Sequence, residues 1–289
     1  MLKRIFKYLT PVCLISLTAV LVYDYFDSFD VPRFRRVDGP FKVPKESITI
    51  PTRAGLDTLH ISGSKRPSPE GLQAHLKDVN MPVYVFDLQS EDHYYINGAP
   101  QSWYGYKWDG EAGTDADDVR LRHYLRRLIY TGKLHHGPKD TQTEEQVMAD
   151  MGFTYLVIPV SRGTIPTAAQ VDDYIRVVES LPQPSWVHFH CYNGGGRTSI
   201  SMIMFDILKN GKDLSIEEIC LRHRLLKSEN VFDTEVRPGG TYTKEALERR
   251  RDFLIAFHRY VNDPEGYGRS SWQEWTDKHD TYKAWDIEQ

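Results

Sequence analysis

His188–Ser199 reads HFHCYNGGGRTS. The residues leading in, Trp186 to His190 (WVHFH), are aromatic and apolar in a short run that reads as a buried strand. Those leading out, Thr198 to Lys209 (TSISMIMFDILK), carry a broad apolar face and stop at Asn210-Gly211, which reads as a helix. Between them Gly194, Gly195 and Gly196 remove side chains, so that backbone N–H groups can converge on an anion. The positive end of the following helix points at the same spot. Cys191 opens this nest, whose field favours the thiolate, the reactive form of cysteine. Arg197, six positions on, can grip two phosphate oxygens through its planar fork, and Thr198 sets a hydroxyl beside the cysteine.

Three readings compete for this loop. A nucleotide-binding Walker loop needs glycine at position 191 and lysine at 197, and the chain has cysteine and arginine there. A glycine turn with an inert buried cysteine stays open, but it gives no reason for Cys191 and Arg197 to frame three glycines. A phosphate-binding loop with a nucleophilic cysteine, in the pattern C-x5-R-[ST], accounts for every position.

Working outward, Pro82 to Leu88 (PVYVFDL) and Tyr155 to Val160 (YLVIPV) read as further buried strands, and Leu56 to Ser62 alternates as a short one. Ser68-Pro69-Glu70 opens a helix, with Ser68 as N-cap. Helices are expected over Asp117–Tyr130, Glu144–Met151, Ala168–Leu181, Ser215–Leu226 and Tyr242–Tyr260. Ser28 to Thr52, rich in proline and arginine, reads as a linker and extended lead-in. Trp272, Trp275 and Trp285 in the carboxyl tail are expected to pack back onto the domain. Strands alternating with helices imply an α/β domain, a mostly parallel central sheet flanked by helices.

A net charge of −4 argues against a nucleic-acid partner. Three cysteines, Cys13, Cys191 and Cys220, make no disulfide framework, although a Cys191–Cys220 bridge is conceivable in an oxidising compartment. Neither cysteine nor histidine spacing suggests a metal, and no cofactor is implied. Lys3, Arg4 and Lys7 precede an apolar run from Leu9 to Val22, the layout of a secretory signal or short membrane anchor. We therefore divide the chain into residues 1–27, a signal or anchor, and a folded domain over 28–289. The expected location is periplasmic or extracytoplasmic, with membrane attachment through that segment. A buried amphipathic helix is the alternative.

WVHFHCYNGGGRTSISMIMFDILKNG resembles the signature and flanks of the bacterial protein-tyrosine-phosphatase-like inositol phosphatases, the cysteine phytases. So do GLDTLHISGSKRPSPEGL (55–72), VFDLQSEDHYYINGAPQSWYG (85–105) and IPVSRGTIPTAAQVDDY (158–174). The resemblance implies that Cys191 attacks phosphorus and that Arg197 and the N–H groups of Tyr192, Asn193, Gly194, Gly195 and Gly196 hold the equatorial oxygens. His190 would support the thiolate and Thr198 its departure. Asp87 falls in the part of the pattern that touches substrate or loop. Lys244 and Arg251 fall where the family places cations for peripheral phosphates, and Lys65 and Arg66 are further candidates. For these four cations a solvated surface charge is the competing reading.

One departure matters. Where the family carries an Asp-His pair, whose aspartic acid protonates the leaving oxygen, this chain has Arg162 and Gly163. The resemblance thus implies a phosphomonoesterase on inositol phosphates or phosphoproteins, slowed by the missing acid. Its alternative is a pseudophosphatase that binds phosphorylated ligands, with Arg162 as an extra cation. Glu91 and Asp92 are the substitute acids to test, and Asp172 and Asp173 are expected to be structural or exposed.

Overall fold

The computed structural model describes residues 18–19, 31–45, 48–91, 93–96, 99–102, 141–161, 163–236 and 242–279. The expected signal or anchor (1–27, apart from Thr18 and Ala19) and the expected helix over 117–130 lie outside them. No helix among the described residues is long and apolar enough to cross a membrane. The chain divides into two compact units, the first comprising Met1–Val31, Pro67–Val79 and Glu91–Met151, the second Pro32–Arg66, Asn80–Ser90 and Gly152–Gln289.

The second unit is built on a five-stranded sheet. Its strands are β1 (Arg35–Arg36), β2 (Ile61–Lys65), β3 (Val83–Gln89), β7 (Thr154–Val160) and β8 (Trp186–Cys191), in the order β1-β2-β8-β3-β7. β2, β8, β3 and β7 are parallel, and β1 adds an antiparallel edge, so the sheet is mixed. All six residues of β8 are buried. Successive side chains of a strand point to opposite faces, so both faces of this central strand are covered. The expected strand at Leu56–Ser62 begins only at Ile61; Leu56 lies in a turn and reaches the core from there. The presumed linker after Ser28 also differs from expectation, because Arg35 and Arg36 pair with Gly63 and Ser62 to form β1.

Helices of this unit are α3 (Ala168–Ser180), α4 (Gly196–Asn210), α5 (Ile216–Leu225), α6 (Lys244–Asn262) and α7 (Trp272–Lys278). Their apolar faces join the strands in one core that includes Phe86, Phe189, Ile203, Phe253 and Trp275. α4 is buried along almost its whole length, from Arg197 through Ile207. Asp172 accepts from the backbone N–H of Trp272 (2.6 Å) and Gln273 (3.2 Å), tying α7 to α3, so it is structural as expected. Trp272 and Trp275 are buried in the same core.

The first unit contains a three-stranded antiparallel sheet that the sequence reading did not anticipate. Its strands β4 (His93–Ile96), β5 (Ala99–Ser102) and β6 (Thr141–Gln142) run in the order β5-β4-β6. Two short helices accompany it, α1 (Pro69–His75) and α2 (Glu144–Asp150). Ser68 caps α1 as expected, accepting from Gly71 N at 3.2 Å. Thr143 and Gln146 form a reciprocal capping box on α2. Buried Glu144 lies 3.1 Å from His93 Nε2 and accepts from Tyr95 Oη at 3.2 Å.

Candidate active site

Ligands of open parallel sheets bind beyond the carboxyl ends of the strands. Here β8 ends at Cys191, between the end of β2 at Lys65 and the end of β3 at Gln89. The parallel register sets Lys65 beside Cys191 and Asp87 beside His190. The chain then turns through residues 192–195 and enters α4 at Gly196.

Gly194 is required by its surroundings as well as by its backbone. Its φ is +65°, and a Cβ there would sit 2.1 Å from Lys65 N and 2.4 Å from Ser64 C. The loop therefore rests directly on the end of β2. Cys191 is buried at the start of the turn, and Thr198 Oγ1 lies 3.2 Å from its Sγ. Cys191 O accepts from Arg66 N at 2.9 Å, which fixes the strand end beneath the sulfur.

Arg197 is buried, and its Nη1 donates to Val160 O (2.8 Å) and Leu88 O (3.2 Å). The ends of β7 and β3 thus orient this guanidinium. His190 is fully buried, with Nδ1 3.8 Å from Asp87 Oδ1. Asp87, itself fully buried, accepts from Gln89 N (2.9 Å) and Tyr155 Oη (2.7 Å). That places Asp87 beneath the loop, as a support for His190. His188 stacks on His190 (ring centroids 6.3 Å apart) and is held between Ser62 Oγ (2.9 Å) and Ser64 Oγ (3.0 Å).

The peripheral cations are rearranged relative to expectation. Lys244 is exposed, with Nζ 3.8 Å from Glu248, and Arg251 donates to Asp252 at 2.8 Å. Arg250, one residue away and about 100° around the helix, reaches the loop instead. It is buried, its guanidinium lies 5.5 Å from the Tyr242 ring centroid, and a Cβ on Gly196 would meet its Nη1 at 3.1 Å. Burial lowers its pKa, opposed by Tyr242, Glu229 and Asp233. Lys65 Nζ lies 6.0 Å from the Tyr192 ring at the rim, whereas Arg66 is buried. Arg162 and Asp92 lie outside the described residues, and Glu91 belongs to the first unit, its carbonyl 2.7 Å from His93 Nδ1. Cys191 and Cys220 are both free thiols, so the conceivable bridge between them is not formed; burial pushes the Cys220 thiol well above its ordinary range.

The comparisons with known proteins agree with this geometry. The model of the protein-tyrosine-phosphatase-like phytase family, described by inositol hexakisphosphate, matches residues 125–209. A protein-tyrosine-phosphatase-like myo-inositol phosphatase from Mitsuokella multacida, solved with myo-inositol-(1,3,4,5)-tetrakisphosphate, is 28% identical with a TM-score of 0.71. The match covers 87% of this chain and 46% of that one. A similar phytase from Bdellovibrio bacteriovorus is 29% identical with a TM-score of 0.62, over 86% of this chain and 91% of that one. The chain is thus similar to the protein-tyrosine-phosphatase-like inositol phosphatases. Among curated proteins, the chain is 27% identical over 250 residues to effector protein hopD2 of Pseudomonas syringae pv. tomato, 78% of this chain and 53% of that protein. It therefore spans about half the length of that relative and of the Mitsuokella chain.

One residue of the phosphatase-like loop region went unread in the sequence. Arg35, in the segment taken for a linker, is buried and donates to Gly194 O (2.9 Å), Ser199 Oγ (3.1 Å), Ser228 Oγ (2.9 Å) and Arg33 O (3.1 Å). Burial brings its pKa down to about 10, while the charges of Cys191 and Glu229 pull it upward and that of Arg33 lowers it further. It braces the loop from behind and adds positive potential near the sulfur. Only its place in a Pro-Arg-rich run hinted at it.

Proposed function

We propose that the chain is a cysteine-dependent phosphomonoesterase acting on inositol polyphosphates or phosphotyrosine through a phosphocysteine intermediate. The observation that carries this reading is the Cys191–Thr198 contact of 3.2 Å at the mouth of a loop flanked by buried Arg197. Cys191 Sγ attacks phosphorus, and the P–O bond to the leaving group breaks as the S–P bond forms. Arg197 and the loop amides stabilise the charge on the equatorial oxygens. Water then attacks the phosphocysteine, inorganic phosphate departs, and the thiolate is restored with Thr198 donating to it. Inositol polyphosphates are favoured by the tetrakisphosphate bound to the Mitsuokella relative, and phosphotyrosine by the aromatic Tyr192 at the rim.

Arg162, in the place of the family's acid, stays charged at ordinary pH and cannot protonate a leaving oxygen usefully. That loss costs about 10²–10⁴ in rate for an alkoxide. It costs less for a phenolate, whose conjugate acid has a pKa of about 10. The chain should therefore turn over para-nitrophenyl phosphate faster than inositol hexakisphosphate in a phosphate-release assay. Equal and rapid turnover of both would overturn the missing-acid account, and Arg162→Asp should raise the inositol hexakisphosphate rate selectively. The same substitution supports a second reading, a pseudophosphatase that holds phosphorylated ligands without turnover. Ligand binding by the parent chain with no phosphate release would select it. The apolar run at Leu9–Val22 supports an extracytoplasmic location, which membrane fractionation tests.

A further inference from the structure

Beside the loop lies a cavity of about 320 Å³ lined by Arg33, Arg224, Lys227, Glu229 and Asn230 as well as Gly194. Three cations meet there from two distant parts of the chain. Glu229 answers one of them, 2.8 Å from Arg33 Nη1, so the cavity carries an excess of two positive charges (three cations less one carboxylate) in a chain of net charge −4. The volume is at the small end for ligand sites and leaves ample room for a phosphate group.

The backbone gives an independent reason to regard these cations as placed. α5 ends in a Schellman turn, with Lys227 N bonded to Arg224 O (2.9 Å) and Ser228 N to His223 O (3.0 Å). The residue at its left-handed position is ordinarily glycine, yet here it is Lys227, at φ +72°. Arg33 also holds a left-handed backbone, at φ +60°. Helix-end electrostatics explains a cation at Arg224. It does not explain two long cationic side chains on backbone that glycine adopts more cheaply.

We propose that Arg33, Arg224 and Lys227 form a second anion site that takes a phosphate group alongside the one in the catalytic loop. The inference rests on the phosphate chemistry proposed above. The phosphate is either a further group of a polyphosphorylated substrate or a separate ion.

The test uses full-length Cys191→Ser protein, which needs no turnover, with and without the pair Arg224→Gln and Lys227→Gly. Lys227→Gly relieves the left-handed backbone, so the paired variant should melt no lower than its parent by more than the loss of two surface cations allows, and its fold is checked by circular dichroism. Calorimetry then measures inositol hexakisphosphate, phenyl phosphate and inorganic phosphate. If the site serves the substrate, the pair weakens inositol hexakisphosphate about tenfold and leaves phenyl phosphate within twofold. If it takes a separate ion, inorganic phosphate shows two binding events in the parent and one in the variant. Unchanged binding of all three anions, or no binding of inositol hexakisphosphate together with a single phosphate event in the parent, overturns the proposal. Failure of the catalytic reading would register elsewhere, as absent phosphate release by the chain with Cys191 intact.

Discussion

Two buried charged clusters of the second unit differ in what their cations face. Around Asp206 the charges are matched. Arg222, fully buried, donates to both carboxylate oxygens and to Ala54 O, and His223 Nε2 lies 2.9 Å from Asp206 Oδ2. Around the phosphate loop, Arg35 is held by carbonyls and hydroxyls, and Arg197 donates to the carbonyls of Val160 and Leu88. A carboxylate neutralises the cation it orients, whereas a carbonyl orients it and leaves its charge available. The first arrangement fixes structure; in the second, burial holds Arg35 and Arg250 beside the loop at the desolvation cost visible in their lowered pKa values.

The contrast is sharpest when Cys191, the proposed nucleophile, is replaced. Cys191→Ser should cut phosphate release at least about 10³-fold while the protein stays folded, read by a malachite-green assay. Arg197→Lys keeps the charge but not the planar fork held by Val160 O and Leu88 O; kcat should fall about 10²-fold with little change in melting temperature. Arg222→Ala should do the opposite, because it strands the buried carboxylate of Asp206. A stability loss of about 3–5 kcal/mol is expected by urea denaturation, with activity per folded molecule kept. If Arg222→Ala abolished activity in a folded protein, the division between structural and functional charge would not hold.

The smallest expected effect concerns pH. Burial pushes the Asp206 carboxyl up, but the hydrogen bonds and charges of His223 and Arg222 outweigh it and hold the group below its ordinary value. A carboxylate depressed in the folded state stabilises the fold fully above its unfolded value of about 3.9, and this contribution is lost as pH falls toward the lower folded value. Asp206→Asn should therefore flatten the decline in melting temperature between about pH 5 and pH 3. An unchanged slope would show that other carboxylates govern acid unfolding.

How much of this was legible in the sequence follows from the range of the interactions. Cys191, Arg197 and Thr198 lie within one strand–turn–helix, so their proximity could be read from spacing alone, and the parallel strands announced themselves as short apolar runs. Arg250 was missed by a single residue, because the helical phase of α6 relative to the loop depends on a fold that places Tyr242 and Gly196 together. Arg35 was unreadable for a related reason: its partners Gly194, Ser199 and Ser228 are more than 150 residues away. The antiparallel strands β4, β5 and β6 have two to four residues each, too few for alternation to register.

The burial of α4 along its length has a further consequence. Amides in the middle of that helix, around Ile200 to Ile207, have no route to solvent through local fraying, so their hydrogen exchange should report only the opening of the entire unit. Because Arg197 and Thr198 ride on the same helix, the anion cradle should persist undeformed until the moment the protein unfolds.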